Sequence, residues 1–293
     1  MTRYTITHIT TYQYTEPVSL CQNVAHMSVR ACDRQRSEPS MLSISPDPAV
    51  IEERVDYFGN PVHYFTIQEP HRELTVEAAH RITVSPGSPA EPGATPSWEV
   101  VRDRLGRDHS PVWLDAYQFA FDSRYAGADP RYADYAAASF TPGRPILEAA
   151  VHLLHRVHAG FVYDSRATTV ATPVAEVFEK RRGVCQDFAH FLLACLRSLG
   201  LAARYVSGYL STVPPAGRPR LIGADATHAW VSIFCGEAGW VDLDPTNNQI
   251  PEERHILLAW GRDYEDVSPL KGVILGGGQH IVKVSVDVRA DDS

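Results

Sequence analysis

The chain has 293 residues, of which 44% are hydrophobic and 21% charged, a composition typical of globular proteins and sufficient for two modest cores. Its 35 acidic and 27 basic residues give a formal charge of -8. Without a lysine- and arginine-rich run, a nucleic-acid partner is not expected. No stretch approaches the ~18 apolar residues that a membrane-spanning helix needs, so no membrane partner is expected either.

The N-terminus and the cysteines predict a soluble, cytoplasmic protein. Residues 1–14 alternate polar and apolar side chains, and they lack the charged start, apolar run and cleavage site of a signal peptide. The five cysteines form no CxxC pair and show no ligand-like spacing with histidine. Their odd number suits free thiols in a reducing compartment. We therefore expect neither disulfides nor a bound metal.

Residues 1–85 are predicted to form a small antiparallel β-sandwich or barrel. Polar and apolar residues alternate over residues 4–9, and residues 62–67 are rich in β-branched and aromatic types. A turn is expected at Glu16 and Pro17, between two of these strand-like runs.

Residues 86–97 contain four prolines and predict a semi-rigid linker between two domains. Beyond it, apolar residues from Ile146 to Val157 recur at helical spacing. A short helix should follow, with Thr172 as its N-cap and Pro173 as its first residue. Strands are then predicted over residues 204–210, 228–234, 240–244, 273–275 and 280–288. Helices followed by antiparallel strands predict a single α+β domain over residues 98–293.

Cys185 lies in the first turn of a second predicted helix. The apolar residues after it recur at helical spacing up to Gly200: Phe188, Phe191, Leu192, Cys195, Leu196 and Leu199. A thiol at a helix N-terminus faces unpaired backbone N–H groups and the positive end of the helix dipole, which favour the nucleophilic thiolate. The same N–H groups can hold an oxyanion. The alternative is that Cys185 is a small buried residue, as Cys195 is expected to be.

A hairpin is predicted after residue 227, since two strand-like runs flank a glycine-bounded turn. A turn centred between Gly236 and Glu237 places His228 opposite residue 245, within one or two positions of Asp244. A carboxylate there can fix the imidazole tautomer and stabilise the imidazolium. Asp242 is the competing partner because it lies on the same predicted face as Asp244.

Several segments resemble the core motifs of bacterial transglutaminase-like proteins. They are residues 183–190 (GVCQDFAH), 196–209 (LRSLGLAARYVSGY), 227–231 (THAWV) and 239–247 (GWVDLDPTN). Two further segments resemble the β-rich domain that precedes this core in bacteria: residues 55–60 (VDYFGN) and 69–76 (EPHRELTV). The resemblance implies a papain-like α+β core, in which the nucleophile helix packs on an antiparallel sheet or barrel, preceded by a small all-β domain.

The resemblance also implies a triad of Cys185 as nucleophile, His228 as base and Asp244 as orienter, with no cofactor. The expected reaction is acyl transfer at a peptide or glutamine carboxamide bond of a protein or peptide, through a thioester. Hydrolysis is slightly favoured over transfer to an amine, because no acceptor site is recognised in the sequence. The other hypothesis is a protein-binding module with a vestigial core, although all three triad positions hold the expected residue types. Oligomeric state is left open.

Three further residues are candidates for the cleft. Tyr163 precedes the nucleophile by some twenty residues, and its hydroxyl could donate to the oxyanion. Gln186 follows the nucleophile directly, and Trp230 could wall the site. Large aromatic residues more often simply pack in a core, so packing explains Tyr163 and Trp230 equally well.

Overall fold

A computed structural model describes residues 1–87, 90–212 and 227–291. The strands are β1 Thr2–Ala25, β2 Gln35–Ser37, β3 Met41–Ser45, β4 Val50–Val55, β5 Pro61–Ile67, β6 His71–Val84, β7 Val162–Tyr163, β8 Arg182–Gly183, β9 Ala203–Leu210, β10 Thr227–Phe234, β11 Trp240–Leu243, β12 His255–Gly261, β13 Leu270–Gly276 and β14 His280–Ala290. The α-helices are α1 Trp98–Leu105, α2 Pro111–Tyr117, α3 Pro130–Ala137, α4 Ile146–Gly160, α5 Val174–Lys180, α6 Cys185–Ser198 and α7 Tyr264–Val267. None of the helices in these ranges is long and apolar enough to cross a membrane.

The N-terminal half is an antiparallel sheet organised around β1. This strand runs for 24 residues and pairs with β5 and β6. Its register with β6 shifts between Gln13 and Val18. The predicted turn at Glu16 and Pro17 is therefore wrong: the strand continues through an irregularity, where a proline without an N–H is tolerated.

The last two strands of the chain join this N-terminal sheet. Strand β14 pairs with the first half of β1, with Tyr4 opposite Ala290, and β13 pairs with its second half, with Val24 opposite Lys271. The sequence predicted a single domain over residues 98–293. Alternating residues indicate a strand without naming the strand it pairs with, so the sequence did not show that residues 270–290 hydrogen-bond along β1.

The second sheet has the strand order β11-β10-β9-β12 and is antiparallel throughout. Helix α6 lies against it, and its residues from Phe188 to Leu196 are buried with the apolar face of α4 in one core. The predicted α+β core, with the helix that begins at Cys185 packed on an antiparallel sheet behind an N-terminal β region, is confirmed. A shared cluster of Tyr4, Ile6, Tyr209 and Ile256 joins the two sheets.

The local helix signals are partly confirmed. Helix α4 covers the predicted apolar stripe, and α6 is followed by Gly200 at φ +75°, a conformation that favours glycine. Helix α5 begins later than predicted, because Pro173 is its N-cap. The hydroxyl of Thr172 accepts instead from the backbone N–H of Thr169.

Candidate active site

Cys185 is the first residue of α6, and the turn before it is tightly fixed. At the third helical position Asp187 accepts a hydrogen bond from the backbone N–H of Val184 at 2.8 Å and another from the hydroxyl of Thr168 at 2.6 Å. A Cβ at Gly183 would lie 2.5 Å from the same carboxylate, so this position has to be glycine. The thiol is partly exposed, at the helix end whose first N–H groups have no intrahelical acceptor.

His228, near the start of β10, is paired with a fully buried carboxylate. Its Nε2 lies 2.8 Å from Oδ2 of Asp244, which is 0% exposed. The backbone N–H groups of Thr246 and Asn247 donate to the other oxygen, Oδ1, at 2.9 and 3.1 Å. The side-chain amide of Asn247 donates to Oδ2 at 2.7 Å. The carboxylate is therefore held in one orientation from several directions.

The partners of His228 determine its charge. Burial by itself lowers the pKa of this imidazole, but hydrogen bonds with Asp244 and Cys185 outweigh burial and raise the pKa to about 10. Burial raises the pKa of the Asp244 carboxyl, and hydrogen bonds from His228 and His255 outweigh it and hold that pKa well below its usual range. Because Nε2 is engaged by Asp244, Nδ1 is the ring nitrogen that remains for an interaction with Cys185. With its pKa raised to about 10, the imidazole is charged at neutral pH.

The hairpin register differs from the prediction by one residue. Ser232 pairs with Asp242 across the ladder, and β11 ends at Leu243, after which Asp244 forms an isolated bridge with Gln249. Asp244, rather than Asp242, contacts His228. Asp242 forms an ion pair with Arg34 at 3.6 Å instead.

Two residues that the sequence reasoning missed complete the surroundings of Asp244. The first is His255, whose Nε2 lies 2.9 Å from the same Oδ2 and which is 3% exposed. It begins β12, and only the pairing of β12 with β9 brings it here. The second is Asn247, which belongs to the DPTN segment and could have been found by its proximity in sequence.

The three additional cleft candidates have different surroundings. Tyr163 pairs with Gly183 across β7 and β8 and is 57% exposed; burial and the nearby Cys185 raise its pKa. The amide of Gln186 donates to the carbonyl of Val170 at 3.3 Å. Trp230 is 0% exposed, so the prediction that it walls an open cleft is wrong. The centroid of its ring lies 6.1 Å from that of His228, so the indole packs beside the imidazole in the core.

Potential metal-ligand atoms also converge at this site. One atom each from His228, Asp244 and His255 lie within 4.8 Å of one another. Both histidine nitrogens are 2.8 to 2.9 Å from the same carboxylate oxygen. That spacing is typical of charge-assisted hydrogen bonds. A hydrogen-bonded carboxylate accounts for the geometry without a cation.

Comparison with known proteins places this chain in a family. Residues 133–245, which include Cys185, His228 and Asp244, match the transglutaminase-like superfamily, and residues 4–83 match the bacterial transglutaminase-like N-terminal region. The uncharacterized protein Rv2569c of Mycobacterium tuberculosis is 41% identical over 297 residues, covering 98% of this chain and 92% of that protein. The chain belongs to the transglutaminase-like superfamily.

Two further proteins that are similar to this chain have descriptions that name an activity. A proposed cysteine protease from Cytophaga hutchinsonii has the same fold, with a TM-score of 0.80 at 20% identity over 100% of this chain and 91% of that one. A protein-glutamine gamma-glutamyltransferase of Pseudomonas aeruginosa is 38% identical over 98 residues, which is 32% of this chain and 15% of that protein.

Proposed function

We propose that this chain is a cysteine-dependent acyl-transfer enzyme that acts on peptide or glutamine carboxamide bonds, with Cys185, His228 and Asp244 as its catalytic triad. The observation that carries the proposal is His228 itself. It is hydrogen-bonded to a buried carboxylate, and Cys185, a partly exposed thiol at a helix N-terminus, is among the groups that raise its pKa. Acyl transfer by a thiol requires a nucleophile, a base that exchanges its proton and a carboxylate that orients the base.

The first half of the reaction forms the acyl-enzyme. The Sγ thiolate of Cys185 attacks the carbonyl carbon, and the carbonyl electrons move to oxygen. When the tetrahedral intermediate collapses, the C–N bond breaks and the leaving nitrogen takes the proton from the His228 imidazolium. The products of this half are a free amine or ammonia and a thioester on Cys185.

The second half releases the acyl group. Neutral His228 takes a proton from water or from an incoming amine, whose oxygen or nitrogen then attacks the thioester carbon. The C–S bond breaks and the thiolate of Cys185 is restored beside the imidazolium. Water yields a carboxylic acid and an amine yields a new amide, so the same residues serve a hydrolase and a transferase.

The oxyanion is assigned to the start of α6. The backbone N–H of Cys185 and its successors in the first helical turn lack intrahelical acceptors, and the helix dipole favours negative charge there. Tyr163 pairs with Gly183, two residues before the nucleophile, and Cys185 is among the groups that raise its pKa. We assign Tyr163 as the second donor.

Hydrolysis is the outcome we favour. The aromatic Tyr163 beside the thiol is 57% exposed, so water has access to the acyl-enzyme, and water is present at far higher concentration than any amine. Exclusion of water is the condition under which transfer to an amine would prevail.

The test is to incubate the protein with a library of glutamine-containing peptides, with and without a primary amine, and to identify products by mass. Cleavage, deamidation and amine adducts differ in mass, so each outcome is distinct. Cys185→Ala should abolish all products, whereas Cys21→Ala, in the N-terminal sheet, should leave them unchanged. Products that persist in Cys185→Ala would overturn the triad.

A second measurement separates an enzyme from a binding module with a vestigial core. Cys185 and Cys32 are both partly exposed free thiols, so exposure alone gives them similar rates of alkylation. An activated nucleophile should react with iodoacetamide at neutral pH at least about tenfold faster than Cys32. Equal rates would favour the binding module.

A further inference from the structure

A cavity of about 470 Å³ is lined by residues 32–34, which precede β2, and by residues of β9, β11 and β12. Its volume is within the range of small-molecule sites. Cys185, His228 and Asp244 do not line it. The charged and aromatic side chains of its lining are Asp33, Arg34, Arg204, Trp240, Asp242, Glu252 and Trp260.

The central group of this cavity is the guanidinium of Arg204, a residue that is only 8% exposed. Its Cζ lies 4.2 Å from the ring centroid of Trp240 and 3.6 Å from that of Trp260. The two indoles cover the faces of the planar group and leave its N–H donors, which lie in its plane, at the edge. Nε of Arg204 is fully buried and has no hydrogen-bond partner among the described residues.

Arg197 is the internal reference for a buried guanidinium in this protein, since it is only 3% exposed. It donates to five acceptors: the carbonyl oxygens of Phe119, Ala126, Ala203 and Arg262 and the hydroxyl of Ser123. Leaving buried donors unpaired costs free energy. The Nε donor of Arg204 carries this cost, whereas the guanidinium of Arg197 does not. Packing of the guanidinium between two indoles leaves this donor unpaired.

A second unpaired polar group lies beside Arg204 in the sheet. Arg204 is directly opposite Ser232, and Ser232 is directly opposite Asp242. The Ser232 hydroxyl is buried and has no partner among the described residues. Asp242, the third residue of this row across the sheet, forms an ion pair with Arg34. Ser232 is 0% exposed and does not line the cavity, so Arg204 is the group of this row that offers donors to a ligand.

The charge of Arg204 is retained at neutral pH. Burial lowers the pKa of its guanidinium, the charge of Asp242 opposes this, and the pKa remains about 10. The cavity is also lined by three acidic residues, Asp33, Asp242 and Glu252. These disfavour a doubly charged phosphate and leave a singly charged, planar anion as the better match for the guanidinium edge.

We propose that this cavity is a second binding site, for an organic carboxylate with an apolar body. The carboxylate accepts the edge N–H groups of Arg204, and the apolar body packs against Trp240 and Trp260. A free amino acid and the C-terminus of a peptide both have this chemistry. The site is distinct from the proposed catalytic triad, so the two proposals can fail independently.

The test is calorimetric titration of the full chain with N-acetylphenylalanine and with its neutral carboxamide. The acid should bind at least about tenfold more tightly, because only the acid pairs with the guanidinium. Arg204→Gln should remove that preference, while Arg156→Gln, which removes a guanidinium stacked on Tyr135, should retain it. Cys185→Ala should bind as wild type does.

Asp242→Asn gives an opposite and independent result. Removing a carboxylate that competes for Arg204 should tighten binding of the acid severalfold, and this variant keeps the buried arginine if Arg204→Gln fails to fold. Equal affinity for acid and carboxamide, or no gain in Asp242→Asn, would overturn the proposal. Comparing phenylalanine with a short peptide acid and its amide then separates a free amino acid from a peptide C-terminus as the source of the carboxylate.

Discussion

Two buried histidines, one in each half of the molecule, differ in charge at neutral pH. In the N-terminal sheet, His8 is 1% exposed and has hydroxyl partners: Tyr209 at 3.0 Å from Nδ1 and Thr10 at 3.2 Å from Nε2. Burial, with a smaller contribution from His80, lowers its pKa to about 4. His228 is 8% exposed and has a carboxylate and a thiol as partners, and its pKa is about 10.

The comparison shows that the partner, rather than burial, decides the charge of a buried imidazole. Burial lowers the pKa in both places. Hydroxyl groups solvate the neutral ring of His8 and leave that effect unopposed, whereas the Asp244 carboxylate reverses it at His228. Of these two histidines, only His228 is charged at neutral pH and has a proton to donate.

The largest expected effect comes from removing the charge of Asp244. Asp244→Asn should lower kcat/KM by about 10³- to 10⁴-fold, because the amide neither fixes the tautomer nor stabilises the imidazolium. The pKa of His228 should fall well below 10, since Cys185 alone then opposes the effect of burial. NMR titration of His228 together with peptide hydrolysis measures both. Asp103→Asn, at the surface of α1, is the control, and a His228 pKa still near 10 would contradict the comparison.

The second prediction concerns the loss of folding stability between pH 7 and pH 4, the acid limb of the stability profile. The pKa values of His8 and His80 are lowered to about 4 in the folded chain, so between pH 6.5 and 4 the unfolded state binds more protons. Their contribution is complete above pH 6.5 and is lost as the pH falls, by up to about 3 kcal/mol per histidine. Urea unfolding from pH 7 to pH 4 measures this loss. His8→Gln should flatten the profile, while His109→Gln, an exposed site, should not.

His228 should show the opposite dependence on pH. Its pKa is raised in the folded chain, so its contribution is complete below pH 6.5 and is lost as the pH rises toward about 10. The same unfolding series, extended to alkaline pH, measures this limb. Asp244→Asn should reduce it, because the hydrogen bond that raises the pKa of His228 most is lost. An alkaline limb that is unaltered in Asp244→Asn would assign it to other groups.

The smallest effect is expected at His255, which donates to Asp244 without reaching the thiol. His255→Phe keeps a ring against Trp230, whose centroid lies 5.3 Å away, and removes the donor. We expect kcat to fall about tenfold, with KM unchanged, because one of several hydrogen bonds to the carboxylate is lost. His255→Gln, which can still donate, should restore part of the activity. A change in KM alone would contradict a positioning role.

Much of the site could be predicted because its parts are local in sequence. The apolar spacing after Cys185 fixes a helix with the thiol at its start, and the glycine-bounded turn fixes the hairpin that carries His228 toward Asp244. The register of that hairpin differed by one residue, since turn geometry sets register and sequence defines the turn only approximately.

What the sequence by itself determined is the set of elements and the family motifs: the nucleophile helix, the hairpin and the β-rich N-terminal region. Only the tertiary structure decided their long-range partners. The pairing of β12 with β9 delivers His255 to Asp244, and the pairing of β14 with β1 returns the end of the chain to its beginning. A strand pattern reports which side chains alternate between faces, whereas pairing depends on the surface that each strand buries against another, and that exists only in the folded chain.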